Sequence, residues 1–131
     1  MQIPEDFIHS ELWPFVLDAR PAIDARPAVY ALLHQDEFGR LHGQSRILYI
    51  GKTGQLGGDS QSCRLRIYKY PNGNHARELR RRSSLLIDSG IGVVFRWKYV
   101  TSSDEATVEE ERLLFEYKAE HGELPPFNSK S

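Results

Sequence analysis

Two tyrosines and a glycine stand where their side chains could form a small chemical site. Tyr30 lies in one apolar stretch, Tyr49 lies in the next, and Gly51 follows closely. Side chains alternate between the two faces of a strand, so Ile47, Tyr49 and Gly51 are expected to share a face. With Tyr30 on that side, two phenols would converge beside a glycine that leaves room for a ligand. The alternative is a pair of core tyrosines, each with its polar tip in water.

Cationic residues follow the glycine, and their chemistry suits phosphate. Lys52 comes directly after it and could hold a phosphate oxygen; the alternative is an exposed lysine. Arg64 and Tyr68 are four residues apart, so on a helix they share one face. A guanidinium suits this role because its planar fork binds two phosphate oxygens and stays charged. Arg66 begins the same spacing two residues later, so these residues alone leave the register open.

A run of three glutamates in the last predicted helix, Glu109, Glu110 and Glu111, contains a candidate metal ligand. Successive residues point about 100° apart on a helix, so only one of the three can face a given site. The other two are expected on a solvated face. A single carboxylate suits Mg²⁺, because this ion keeps much of its hydration shell.

Several other classes are excluded. Gly51-Lys52-Thr53 resembles the end of a nucleotide-binding loop, but that motif needs a glycine five positions earlier, where Arg46 stands. The single Cys63 cannot form an internal disulfide, and no cluster of cysteine and histidine suggests zinc. The apolar runs are far short of a membrane span, and the first residues lack the pattern of a secretion signal. We therefore expect a cytoplasmic protein without a membrane partner.

The charges are unevenly distributed along the chain. Its 131 residues are enough for one domain, and the net charge of −1 is not the usual footprint of a nucleic-acid binder. A basic block begins at Arg64 and ends in Arg80, Arg81 and Arg82, whereas acidic residues dominate 104–123. The alternatives are two solvated helix faces that attract each other, or a basic surface that follows phosphates.

An α+β framework is expected to bring these residues together. Residues 1–27 predict a helical N-terminal extension, because their apolar residues recur at roughly helical spacing, and the domain then spans 28–128. Residues 36–45 are polar with two glycines and predict a long hairpin loop. The predicted elements are strands at 28–34 and 47–51, helices at 62–70 and 74–87, a strand at 93–100 and a helix at 102–121.

In this order the motifs resemble the GIY-YIG nuclease superfamily over residues 28–128. Ala28-Val29-Tyr30 has alanine where the family has glycine, and Tyr49-Ile50-Gly51 is the second motif. The family's helix arginine fits Arg64, because Leu65 then takes the apolar position beside it. The later matches are Glu110, with Ala106, Leu113 and Leu114 around it, and Pro125-Pro126-Phe127-Asn128.

The resemblance implies a small three-stranded antiparallel sheet flanked by helices. It also implies a metal-dependent endonuclease that hydrolyses phosphodiester bonds in DNA, with RNA not excluded. In this scheme Tyr30 is the general base on water, Tyr49 positions it, and Glu110 holds one Mg²⁺ or Mn²⁺ ion. The further site residues it implies are catalytic Arg64, Lys52 and Tyr68, and substrate-binding Gly51, Asn128, Arg66, Arg80, Arg81 and Arg82.

Two other functions compete with this interpretation. The first is a nucleic-acid-binding or protein-interaction domain on the same fold with a silent site, which the departure at Ala28 and the slight negative charge favour. The second is a structural accessory subunit, supported only by the extension at residues 1–27. If the protein is a nuclease, a homodimer or a protein partner is a candidate source of its specificity, because no separate specificity domain is visible.

Overall fold

The computed structural model describes residues 1–12, 26–52 and 74–128. These residues form four β-strands, two α-helices and one turn of 3₁₀-helix, so the α+β class is confirmed. The predicted helix at 62–70 lies outside the described residues. The elements are β1 (His9–Leu12), β2 (Ala28–Gly39), β3 (Gln44–Lys52), α1 (Asn74–Asp88), β4 (Val93–Tyr99), α2 (Ser103–His121) and the 3₁₀ turn (Pro126–Asn128).

The strands form one antiparallel sheet in the order β1-β4-β2-β3. β2 and β3 pair as a hairpin, and β4 pairs along the other side of β2. The three predicted strands are therefore present as an antiparallel group with β2 in the middle. The prediction of a three-stranded sheet is wrong by one strand, since β1 adds a fourth beside β4.

The expectation of a helical N-terminal extension is wrong for β1. His9–Leu12 is a strand whose residues pair with Val94–Trp97 of β4. A helix this short is marginal on its own, whereas the open side of β4 offers a complete row of backbone partners. Phe7, directly before β1, is fully buried in the core and holds the segment against the sheet. Tertiary pairing therefore overrides the helical spacing of the apolar residues.

The predicted hairpin loop at 36–45 is mostly strand. β2 continues to Gly39, β3 begins at Gln44, and only residues 40–43 turn between them. The polar side chains of this stretch are largely exposed, so its composition is compatible with a two-stranded ribbon that projects into solvent. The turn docks on the end of α2, where the backbone N–H of His42 donates to the carbonyl of His121 over 3.0 Å.

The sheet has a core on each face, with a different helix over each. On the first, called the α1 face, Leu86 and Ile87 of α1 pack on a cluster that includes Tyr30, Leu32, Tyr49, Phe95 and Trp97. On the second, called the α2 face, Ala106, Leu113 and Tyr117 of α2 pack on a cluster that includes Val29, Ala31, Ile47 and Ile50. Both faces of the sheet are therefore buried there, which explains why residues 28–33 of β2 and 47–50 of β3 are continuously apolar.

Helix boundaries follow the predicted end signals closely. Ser102 caps α2 and its hydroxyl accepts from the N–H of Glu105, while Gly122 ends the helix in the left-handed conformation at φ 78°. Gly90 follows the end of α1 with φ 83°. None of the helices in the described ranges is long and apolar enough to cross a membrane.

Candidate active site

Tyr30, Tyr49 and Gly51 converge on the α1 face. Tyr30 lies directly opposite Gly51 in the β2–β3 ladder, and the two phenol rings are 5.8 Å apart between centroids. A Cβ added to Gly51 would lie 2.6 Å from Cζ of Tyr30 and 2.6 Å from Cε2 of Tyr49. The glycine therefore makes room for two phenol rings. The expectation that this space is left for a ligand is wrong, because the rings fill it.

A β-bulge in β3 lies between Ile47 and Tyr49 and puts these two side chains on different faces of the sheet. The register shifts between Leu32, which pairs with Tyr49, and Leu33, which pairs with Ile47. Leu48 and Tyr49 consequently both belong to the α1-face cluster, whereas Ile47 belongs to the α2-face cluster. The prediction that Ile47 shares a face with Tyr49 is wrong, because the extra residue of a bulge reverses the alternation on one side of it.

Asn128 holds the edge of β3 next to the tyrosine pair. Its side-chain Oδ1 accepts from the N–H of Ile50 over 2.8 Å, and its Nδ2 donates to the carbonyl of Ile50 over 2.9 Å. The 3₁₀ turn presents this amide, and Phe127 in the same turn packs on the cluster that contains Tyr30. The sequence predicts that Asn128 binds substrate. In the structure its side-chain amide makes two hydrogen bonds to the backbone of β3, one through oxygen and one through nitrogen.

Lys52 lies on the opposite face from the phenols. It is the last residue of β3 and pairs with Val29, and residues directly opposite in a ladder point to the same side. Val29 is buried in the α2-face cluster, so the half-buried Lys52 side chain leaves the sheet toward α2. Gly51 and Lys52 thus face opposite sides at the C-terminal end of β3.

Glu110 occupies the inner stripe of α2. Residues 106, 110, 113 and 117 follow one another at spacings of four, three and four, which place them on one helix face. The other three members of that stripe, Ala106, Leu113 and Tyr117, are buried against the sheet, and Glu110 is half-buried. Among the three glutamates of the run, Glu109 and Glu110 are half-buried and Glu111 is exposed.

The two neighbours of Glu110 have different surroundings. Glu109 forms an ion pair with Arg112 on its own helix and another with Lys98 of β4, whose Nζ is 3.3 Å from its carboxylate. Glu111 is exposed. Glu109 is thus half-buried and ion-paired at the sheet, so the expectation of a solvated face is wrong for it, whereas Glu111 is exposed as expected.

The phenols and Glu110 come from elements on different sides of the sheet. α1 and the 3₁₀ turn cover the face that carries Tyr30 and Tyr49, whereas α2 covers the other. The described residues therefore do not form one compact pocket that contains all the predicted groups. At the end of β3, Gly51 pairs with Tyr30 of the α1 face and Lys52 pairs with Val29 of the α2 face.

The predicted basic residues are only partly described. Arg82 is half-buried and donates through Nη1 to the carbonyl of Pro126 over 3.4 Å, with its guanidinium 5.9 Å from the ring centroid of Phe127. It therefore connects α1 to the 3₁₀ turn. Arg81 is exposed on the same helix. Arg80 lies in α1 but its side chain, like the whole of Arg64, Arg66 and Tyr68, lies outside the described residues.

Electrostatic effects on α2 are clear at two positions. Burial raises the pKa of the Tyr117 phenol, so this tyrosine of the α2 face is held in its neutral form. At the start of the helix, hydrogen bonds from the hydroxyl and the backbone N–H of Thr101 lower the pKa of the Glu105 carboxyl. These bonds favour the charged form of Glu105, which also suits the positive end of a helix dipole.

The sequence analysis did not predict a cluster of aromatic rings that lies near the tyrosine pair. Trp97 and Tyr99 on β4 and His9 on β1 form ring contacts on the α1 face. Phe95, Trp97 and Tyr99 alternate along β4, and that alternation was the available signal for an aromatic strand face. The contribution of His9 had no signal, because β1 itself was not predicted.

No family model, no curated protein and no solved structure matches this chain. Among residues 1–12, 26–52 and 74–128, no three histidine, cysteine, aspartate or glutamate side chains gather closely enough to hold a metal ion together. A site with one protein carboxylate and several waters is of a different kind and calls for a single residue such as Glu110.

Proposed function

We propose that this protein is a metal-dependent endonuclease of the GIY-YIG type that hydrolyses phosphodiester bonds in DNA. One observation carries the proposal: the rings of Tyr30 and Tyr49 meet over the bare backbone of Gly51 in neighbouring strands. In this proposal one phenol accepts a proton from water while the other orients it. The order of the remaining motifs along the chain gives independent support.

Tyr30 is the proposed general base. A tyrosine has a pKa of about 10 in water, so it acts as a base near neutral pH only where positive charge favours the phenolate. Arg64 is the proposed cation for this role, because the side chain of Lys52 leaves the sheet on the opposite face from the phenols. Both cations also suit the negative charge that grows on a phosphate during hydrolysis, with the guanidinium binding two of its oxygens.

Glu110 is the proposed ligand for one Mg²⁺ or Mn²⁺ ion. Its half-buried carboxylate on the inner stripe of α2 fits an ion that takes one or two protein carboxylates and retains water. Such an ion, when bound, polarises the phosphate and stabilises the leaving oxygen. Because α2 and the phenols lie on different sheet faces, we propose that the scissile phosphate binds at the end of β3, near Lys52.

The basic helix α1 is the proposed contact with the DNA backbone. Arg80, Arg81 and Arg82 follow one another on it, and it packs over the same sheet face as the tyrosine pair. Arg82 also contacts the 3₁₀ turn, so its replacement is expected to affect stability as well as binding. For each arginine that binds a phosphate of duplex DNA, neutralisation is expected to reduce the slope of log affinity against log salt by about 0.9.

A second candidate function is a catalytically silent nucleic-acid-binding domain on the same fold. The observation that favours it is burial: Tyr30 is 1 % exposed and Tyr49 is 4 % exposed. Core tyrosines would show the same burial, and the helix that carries Glu110 covers the other face of the sheet. This candidate predicts binding of nucleic acid without cleavage.

Nicking of supercoiled plasmid separates the two candidates. The wild type is expected to nick in the presence of Mg²⁺ and to stop when EDTA is added. Glu110→Gln is expected to lose nicking and to keep its melting temperature, whereas the matched variant Glu111→Gln, altered at an exposed neighbour, is expected to behave as the wild type. Nicking by folded Glu110→Gln at the wild-type rate would remove Glu110 from the site. No nicking by the wild type together with DNA binding would support the silent domain.

A further inference from the structure

An aromatic and cationic cluster lies at the β1 side of the α1 face. The ring of His9 stacks on Trp97 with centroids 5.1 Å apart and planes 16° apart, and it meets the edge of Tyr99 at 5.1 Å. The guanidinium carbon of Arg26 is 3.8 Å from the ring centroid of Tyr99. Trp97 is buried, but His9 and Tyr99 are half-buried and Arg26 is exposed. Trp97 thus forms the buried bottom of the cluster. His9, Tyr99 and Arg26, which are partly or fully exposed, form its rim.

The cluster belongs to the same row of side chains as the tyrosine pair. His9 lies opposite Trp97, Trp97 opposite Tyr30, and Tyr30 opposite Gly51, so one row crosses all four strands. Neighbouring strands are about 4.8 Å apart, which puts His9 roughly 14 Å from Gly51 across three spacings. The rim is also at the same end of the sheet, since β4 ends at Tyr99 and β3 ends one residue after Gly51.

We propose that His9, Tyr99 and Arg26 form a stacking site for an unpaired base of single-stranded DNA. Flat aromatic rings offer stacking area to any base, and an adjacent guanidinium attracts the phosphate of the same nucleotide. Bases in an intact duplex already stack on each other, so such a site selects DNA with an unpaired stretch beside the cleaved bond. The inference rests on the proposed nuclease function and names its substrate class.

The fluorescence of Trp97 reports on this site, because His9 stacks directly on its ring. The chain has two tryptophans, so Trp13→Phe leaves Trp97 as the sole tryptophan, which can be excited selectively over the tyrosines. In metal-free buffer with EDTA, a short oligothymidine is expected to change this emission on binding. An abasic strand of the same length, which has the phosphates but no bases, is expected to bind at least fivefold more weakly.

Substitutions of His9 and Tyr99 test whether the rim residues contact the base. His9→Ala and Tyr99→Leu are each expected to weaken oligothymidine binding by about fivefold to a hundredfold, the usual loss for one stacked base. Neither is expected to change binding of the abasic strand, and His9→Phe is expected to restore the affinity that His9→Ala loses. His34→Ala is the matched control, because His34 also contacts an aromatic ring, Phe38, but lies toward the hairpin end of β2.

Two results would overturn the stacking site. The first is equal affinity for oligothymidine and the abasic strand. The second is unchanged oligothymidine binding by a His9→Ala protein whose melting temperature matches the wild type. Because these titrations need no cleavage, base-dependent binding in a protein that fails to nick plasmid would reject the nuclease proposal and leave the stacking site standing.

Discussion

The side-chain amide of Asn128 pairs with the backbone of Ile50 as a neighbouring strand would. Its Oδ1 accepts from the N–H of Ile50 at 2.8 Å, and its Nδ2 donates to the carbonyl of the same residue at 2.9 Å. β3 is the last strand on its side of the described sheet, so the amide satisfies two backbone groups at an edge. The residue so held is flanked by Tyr49 and Gly51, which makes Asn128 a support for the geometry of the tyrosine pair.

Asn128→Ala is expected to lower the free energy of unfolding by about 1–3 kcal/mol, since two partly buried hydrogen bonds are removed. Asn128→Asp is expected not to restore it, because a carboxylate accepts from the N–H but repels the carbonyl. Chemical denaturation measures both. Gln35→Ala is the control, since Gln35 accepts from the N–H of Gly92 at an exposed position where water can replace it. An Asn128→Ala protein as stable as the wild type would show that the pairing contributes nothing.

Gly51→Ala is expected to destabilise the protein by about 1–3 kcal/mol through overpacking. The added methyl would lie 2.6 Å from two ring carbons, whereas carbon atoms normally approach to about 3.5–4.0 Å. Gly39→Ala is the matched control in the same hairpin, because a Cβ there meets no heavy atom within 4 Å. Thermal melting of the two variants tests this. Equal stability of both would mean that the tyrosine rings move aside without cost.

Tyr30→Phe and Tyr49→Phe are expected to keep the fold and DNA affinity while losing turnover, because each removes only a hydroxyl. Loss of a general base typically costs about 10²–10⁴ in rate, and Tyr49→Phe is expected to cost less if it only positions Tyr30. Single-turnover cleavage of a labelled duplex measures both. Tyr117→Phe, on the α2 face, is the control that should cleave normally. Full activity in both variants would remove the phenols from the mechanism; a larger loss in Tyr49→Phe would exchange their roles.

Glu105 is expected to make stability depend on pH in the acid range. Its folded-state pKa is lowered from 4.5, so its charged form stabilises the folded protein above that value, and this contribution disappears as pH falls through the lowered pKa. Glu105→Gln is therefore expected to be less stable than the wild type at pH near 7, with the difference shrinking below about pH 4. Denaturation at several pH values tests this. A difference that is constant with pH would show that the charge of Glu105 is immaterial, and Glu111→Gln is the exposed control.

Local signals predicted the later part of the chain well. α2 begins after Ser102 and ends at Gly122, because a hydroxyl and a left-handed glycine satisfy the unpaired backbone groups at helix ends. Both residue types are visible in the sequence. The alternation of residues in β4 was equally clear, because alternating apolar and polar residues match the two faces of a strand and do not match a helix. These features depend on neighbours along the chain and so require no knowledge of the packed molecule.

The parts that were not predicted depend on contacts between distant segments. β1 forms because β4 presents an open side, and nothing near His9 in the sequence reveals it. The bulge at Leu48 and Tyr49 reverses the face of Ile47, although strict alternation looked sound. Most important for the site, a helix with one apolar stripe can pack on either face of a sheet. For that reason the sequence could not predict which face of the sheet α2 covers, or on which face Glu110 lies.

The placement of β1 has a practical consequence for anyone who trims or tags this protein. Removal of residues 1–12 would strip β4 of a partner and leave its backbone groups available to strands of other molecules, the usual route to aggregation. It would also remove Phe7, which is fully buried. A shortened chain that precipitates would thus report a missing sheet edge, and its inactivity would carry no information about catalysis.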